Sequence, residues 1–327
     1  MRRHHFAVVP VALAGALLAA ACGGSDGAAG GDGGGPDVVV TTSILGDVVE
    51  NLVGDAAEVE VIMPPNADPH DFQASARQAA ALREADLVVV NGAGFEAGLE
   101  DAIDGAVDDG ATVFAAVDHV DTLPATDEPS DESDEGGEGG DEHADDGEGV
   151  DPHFFTDPAR MAAAAEALAD ALADNVPGLH DQAFRDRAGA YLDQLRALDA
   201  EVEATLAPVP AADRKLVTNH DVFAYFADRY GFTVVGTVIP AITTSAEPSA
   251  GELDELAATI EAEGVRAIFA DTSSPEALAE ALAAEVGGDV QVVELYSESL
   301  GEPGSEGGTY VDMIRTDAAR IASALTS

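Results

Sequence analysis

The chain twice repeats an alternation of short β-branched runs and helical segments, and one long helical pattern separates the two series. Residues 38–42, 59–63, 87–90 and 112–116 read as strands, with helices over 45–53, 75–84, 95–103 and 157–173. The second series places strands at 215–218, 233–238, 267–270 and 290–295 and helices at 222–230, 250–263, 275–285 and 310–325. Between them, residues 179–206 carry Phe184, Ala188, Tyr191, Leu195, Leu198, Val202 and Leu206 at steps of three or four, and Pro208 and Pro210 follow. Such a helix spans about 40 Å and contains no Gly or Pro between positions 190 and 207, which makes it stiff. The expected fold class is α/β: two lobes, each a mainly parallel sheet flanked by helices, joined by one long rigid helix. The expected divisions are a first lobe at 37–178, the linking helix at 179–207 and a second lobe at 208–327.

What precedes the first strand reads as an address. Met1-Arg-Arg-His-His is a basic start, and residues 6–21 form an apolar run too short for a confident membrane span. The run closes on Ala19-Ala-Ala-Cys22, which resembles a bacterial lipobox, and residues 23–36 form a Gly-rich tether. Residues 1–21 are therefore expected to be a signal peptide, and Cys22 a lipidated residue that holds the exported chain on the outer side of a cell membrane. As the only cysteine in the chain, Cys22 also excludes an intramolecular disulfide framework or a cysteine-cluster metal site.

Charge narrows the partners. Fourteen basic residues face 63 acidic ones, for a net charge of −49, which sets the chain against phosphate backbones and excludes nucleic acid. Residues 126–149 are acidic and Gly-rich without apolar periodicity, and read as a disordered surface loop. The acidity leaves attraction of cations open.

Ligands of open parallel sheets gather beyond the carboxyl ends of strands. His70 follows the second strand, in Asn66-Ala-Asp-Pro-His-Asp-Phe72, and His220 follows the first strand of the second series, in Val217-Thr-Asn-His-Asp221. His153 lies in Asp151-Pro-His-Phe154, just before a helix, so Asp-Pro-His occurs twice. The proline restrains the backbone, and a neighbouring carboxylate can orient a ligating imidazole. His4, His5, His143 and His180 do not share the pattern, and His119 stays unassigned. A zinc hydrolase would need a general base beside an open coordination position, and no His-Glu-x-x-His is present.

With Thr41-Thr-Ser-Ile-Leu45, residues 64–72, Ala85-Asp-Leu-Val-Val-Val-Asn-Gly92, residues 151–154 and 217–226 as landmarks, the chain resembles the zinc or manganese substrate-binding lipoproteins of ABC importers. The resemblance implies a non-enzymatic receptor that captures one metal in an interlobe cleft and delivers it to a membrane permease. It implies His70, His153 and His220 as three ligands, with a carboxylate fourth at Glu298 and Asp271 in reserve. Manganese members resemble a glutamate at the third position; His220 there favours Zn2+, with Mn2+ or iron as the runner-up. An adhesin-like surface lipoprotein is the other class, and a monomer is expected. Because neutral imidazole is the ligand, affinity is expected to fall as pH drops through about 6.5.

Overall fold

Among the described residues eight short strands pair into two separate four-stranded parallel sheets, and in each the chain passes over its first strand once, between the second strand and the third. This computed structural model describes residues 36–125, 149–274, 277–287 and 290–326. The signal segment, Cys22, the tether up to residue 35 and residues 126–148 of the acidic loop, with His143, lie outside the described residues.

The first sheet runs β2-β1-β3-β4, with β1 at Val38–Val40, β2 at Val59–Val61, β3 at Leu87–Val90 and β4 at Val113–Ala115. Helices α1 (Ser43–Val53), α2 (Ala76–Glu84) and α3 (Glu100–Asp108) supply its crossovers. The period-2 rule is visible within β1: Val38 and Val40 join the inner core, while Val39 packs with Ile62, Leu82 and Val88 on the outer face. Both faces are buried, which is why the run is continuously Val rather than alternating.

Helix α4 (Pro158–Asn175) follows, capped by Asp157 with Pro158 in its first turn. The linking helix α5 is Gln182–Leu206, and its apolar stripe is the seven residues read from sequence, with Leu192 added. It begins three residues later than the pattern suggests, because the Asp181 carboxylate caps Phe184 N and leaves 179–180 in the preceding turn.

The second sheet runs β6-β5-β7-β8, from β5 (Lys215–Thr218), β6 (Thr233–Thr237), β7 (Ala267–Asp271) and β8 (Gln291–Leu295). Its helices are α6 (Ala224–Tyr230), α7 (Ala250–Glu263), α8 (Ala277–Val286) and α9 (Tyr310–Thr326). Helix α5 packs against α1, α4 and α9. One continuous core therefore runs from Val38 through Leu195 and Leu198 to Leu325.

One predicted helix is corrected. Residues 95–99 are a loop and a 3-10 turn, and the helix starts only at Glu100 with α3, whereas the pattern predicts a single helix over 95–103. Gly92, Ala93 and Gly94 all take positive φ, which no helix start permits. The buried Glu96 carboxylate accepts from Asn91 N, Gly92 N and the Thr41 hydroxyl and fixes that loop.

The chain beyond β8 is stitched back onto the first sheet's side. Ser43 Oγ accepts from Leu300 N at 3.0 Å, and Leu300 O accepts from Asn66 N at 3.0 Å. Asp47 Oδ2 accepts from Tyr310 N at 3.0 Å, so a carboxylate on α1 caps the first turn of α9. Burial pushes the Asp47 carboxyl up to about 6, against the pull of the Tyr310 amide and with help from Glu50. A carboxyl raised in the folded state loses stability as pH rises through the window from about 4 to 6. Asp47→Asn keeps an acceptor and removes that loss. Its stability relative to the parent is expected to improve by up to about 3 kcal/mol between pH 4 and 7, read by denaturant unfolding at each pH.

Candidate metal centre

Four side chains from four separate segments meet where the two sheets' carboxyl ends face each other. His70 follows β2, His153 precedes α4, His220 follows β5 and Glu298 follows β8. One ligand atom of each lies within 4.8 Å of all the others, and all four residues are buried, at 4%, 0%, 0% and 1% exposure.

Local chemistry explains how each is aimed. In both Asp-Pro-His tripeptides the Asp carboxylate accepts the His backbone N–H two residues on, at 2.9 Å from Asp68 and at 2.9 Å from Asp151. These are Asx turns, and the intervening proline makes them rigid. Asp151 Oδ1 also takes His153 Nδ1–H at 2.8 Å, since a carboxylate only accepts, and that turns Nε2 toward the cluster. Asn91 Nδ2 donates to Pro152 O at 2.9 Å and steadies the same loop. Thr218 Oγ1 donates to His220 O at 2.8 Å, while Asp317 on α9 holds Tyr296 N at 3.0 Å, two residues before Glu298. Phe95 stands edge-on to His70 and His153, with ring centroids 5.2 Å and 5.5 Å away, and makes the first lobe's wall apolar.

Glu298 Oε1 lies 2.8 Å from His70 Nε2, 2.9 Å from His220 Nε2 and 3.3 Å from His153 Nε2. Four ligands at about 2.0–2.1 Å around a tetrahedral ion have edges of about 3.3–3.4 Å, close to the distances from Glu298 Oε1, while the imidazole nitrogens, within 4.8 Å of one another, have to draw in around a cation. Burial drives the Glu298 carboxyl up, yet the three imidazoles outweigh it and hold it well below the usual carboxylate range. His153 Nε2 and Glu298 Oε2, both on ligand groups, are buried without a hydrogen-bond partner. Such concentrated unsatisfied polarity is costly in a fold and suits a site that gathers around a positive ion.

Asp271, the reserve residue, ends β7 outside this group, its carboxylate taken by Ser273 N at 2.7 Å and Ser273 Oγ at 2.9 Å. Burial and the nearby Glu298 charge push it up to about 7. His119 stacks flat on Phe114 with centroids 4.4 Å apart and takes no part in the cluster. Asn91, Asp317 and Tyr225 (treated below) escaped the sequence reading because each acts through main-chain atoms, which no residue-type pattern records.

Residues 38–324 match the family described as zinc-uptake complex component A, periplasmic. The chain is 33% identical, over 87% of each chain, to the zinc-binding protein TroA of Treponema pallidum. It is 31% identical to the manganese-binding lipoprotein MntA of Bacillus subtilis, over 87% of this chain and 88% of that one. The solved structure of the periplasmic zinc binding protein TroA from Treponema pallidum superposes with a TM-score of 0.75 at 31% identity, over 90% of this chain and all of that one.

Proposed function

The chain belongs to the zinc-uptake complex component A family, and from that premise we propose that it is an extracytoplasmic receptor that captures Zn2+ and delivers it to an ABC importer. In that role it binds metal as cargo and is not an enzyme. The observation that carries the reading is the buried meeting of three imidazoles and one carboxylate, drawn from four segments of both lobes.

The donor set supports zinc over its competitors. Three nitrogens and one oxygen in a tetrahedral arrangement suit a borderline ion without geometric preference, whereas Mn2+ favours more oxygen donors. The manganese-binding name of one relative keeps Mn2+ as the competitor to test. Elemental analysis of protein purified without chelator, followed by competition calorimetry with Zn2+, Mn2+ and Fe2+, is expected to give one equivalent of zinc and the tightest binding for zinc. Preferential retention of manganese would reverse the assignment.

Capture is coupled to protons. Burial pulls His153 down, but the Asp151 and Glu298 carboxylates prevail and raise it to about 9, above the ordinary histidine range. Below that pH the incoming cation displaces the proton from His153. Affinity is then expected to fall about tenfold for each pH unit, starting well above the 6.5 that unperturbed histidine suggests. Zinc titrations between pH 6 and 9 in weakly buffered solution read both this slope and the proton released. A flat profile would contradict it.

The basic start, the apolar run and Cys22 support export and a lipid anchor, with the receptor working as a monomer beside its membrane permease. Among the described residues no helix is long and apolar enough to cross a membrane. Mass spectrometry of the mature chain is expected to begin at a diacylated Cys22.

A further inference from the structure

The two segments that flank the acidic loop meet at an isolated antiparallel bridge. Ala125 N donates to Gly149 O and Asp151 N donates to Leu123 O, both at 2.9 Å, with Pro124 opposite Val150. A regular antiparallel pair at Leu123 and Asp151 would also return the second bond, from Leu123 N to Asp151 O. That bond is replaced. Leu123 N donates instead to the Tyr225 hydroxyl at 2.9 Å, and the hydroxyl donates on to Asp151 O at 2.7 Å.

Tyr225 belongs to the other lobe. It lies on α6, five residues after His220, and is completely buried. Arg160 on α4 holds the wedge from outside, its guanidinium 4.8 Å over the Tyr225 ring while it donates to Asp121 O at 2.8 Å and pairs with Asp228. The residue that the hydroxyl holds, Asp151, is also the one whose carboxylate takes both His153 N and His153 Nδ1. One hydroxyl thus connects the segment carrying His220 to the segment carrying His153.

We propose that Tyr225 is a positioning residue of the metal centre, its inserted hydroxyl fixing the spacing between Asp151 and the second lobe so that His153 Nε2 meets the cation together with His220. This rests on the reading of His153 as a ligand. Without the hydroxyl, Leu123 N and Asp151 O either stay buried and unpaired or close directly on each other. A direct bond of about 2.9 Å would draw Asp151 some 1–2 Å toward Leu123 and turn His153 with it.

The test is a double-mutant cycle in the full-length protein, with Zn2+ affinity read by chelator competition. Tyr225→Phe is expected to weaken zinc about tenfold, and Asp151→Ala about ten- to a hundredfold, the usual range for residues that orient a ligand. The double variant is expected to lose less than the two single losses combined, because the hydroxyl holds the main chain of the same residue whose carboxylate orients His153. Parental affinity in Tyr225→Phe, or losses that simply add, would overturn the proposal. Parental affinity in Asp151→Ala would overturn it as well, and that variant keeps the test standing if Tyr225→Phe does not fold. His153→Ala run alongside separates the two layers: undiminished zinc binding there would refute the ligand assignment itself.

Discussion

Replacing His220 with alanine is expected to lower zinc affinity by about a hundred- to a thousandfold. A four-ligand zinc site is worth roughly 10–16 kcal/mol, so one imidazole accounts for about a quarter of it. His220 is the one histidine of the cluster that the second sheet contributes, and its Nε2 sits 2.9 Å from Glu298 Oε1 in a fully buried position. Its removal also leaves the Glu298 carboxylate buried with one donor fewer, which lowers the stability of the metal-free protein. His119→Ala is the control, since that ring stacks on Phe114 outside the cluster and its loss is expected to leave affinity unchanged. Chelator-competition titration of both variants reads the difference; equal affinities would remove His220 from the site.

The second large effect lies in the linking helix. Leu195 and Leu198 on α5 are both 0% exposed and belong to the core that joins the first sheet, α4 and α9. Leu198→Ala is expected to cost about 2–5 kcal/mol, the range for a fully buried leucine whose surroundings cannot collapse around the gap. Because one core serves both lobes, guanidinium unfolding is expected to stay a single transition with a lower midpoint. Two resolved transitions, or a loss below about 1 kcal/mol, would show the lobes to be independent. The same continuity limits the motion that accompanies metal capture. A helix of 25 residues with both lobes packed along it favours small rotations and rearranged ligand loops over wide hinge closure.

The sequence makes the two-sheet alternation legible because its strands are short runs rich in Val and Ile and helices α1, α2, α4, α5 and α7 carry their own side-chain caps. It makes His70, His153 and His220 legible because each stands at a loop position next to a fixed backbone frame. Glu298 is legible only through family resemblance, since an acidic residue in a chain with 63 of them carries no signal by itself. The loop at 91–96 is illegible for a different reason. Apolar periodicity through Phe95, Leu99 and Ile103 mimics a helix, while the positive φ of Gly92, Ala93 and Gly94 and the buried Glu96 carboxylate decide otherwise. The stitching of 299–310 onto α1 is illegible too. It runs through Ser43, Asp47 and main-chain atoms more than 250 residues away in sequence.

The central claim is that His70, His153, His220 and Glu298 together hold one zinc ion. X-ray absorption at the zinc edge, on the full-length protein carrying one equivalent of Zn2+, tests it most directly. The expected spectrum has three imidazole nitrogens at about 2.0–2.1 Å, with the outer-shell scattering of their rings, and oxygen at about 2.0–2.2 Å. A shell made mainly of oxygen, with ring scattering from one imidazole or none, would contradict it.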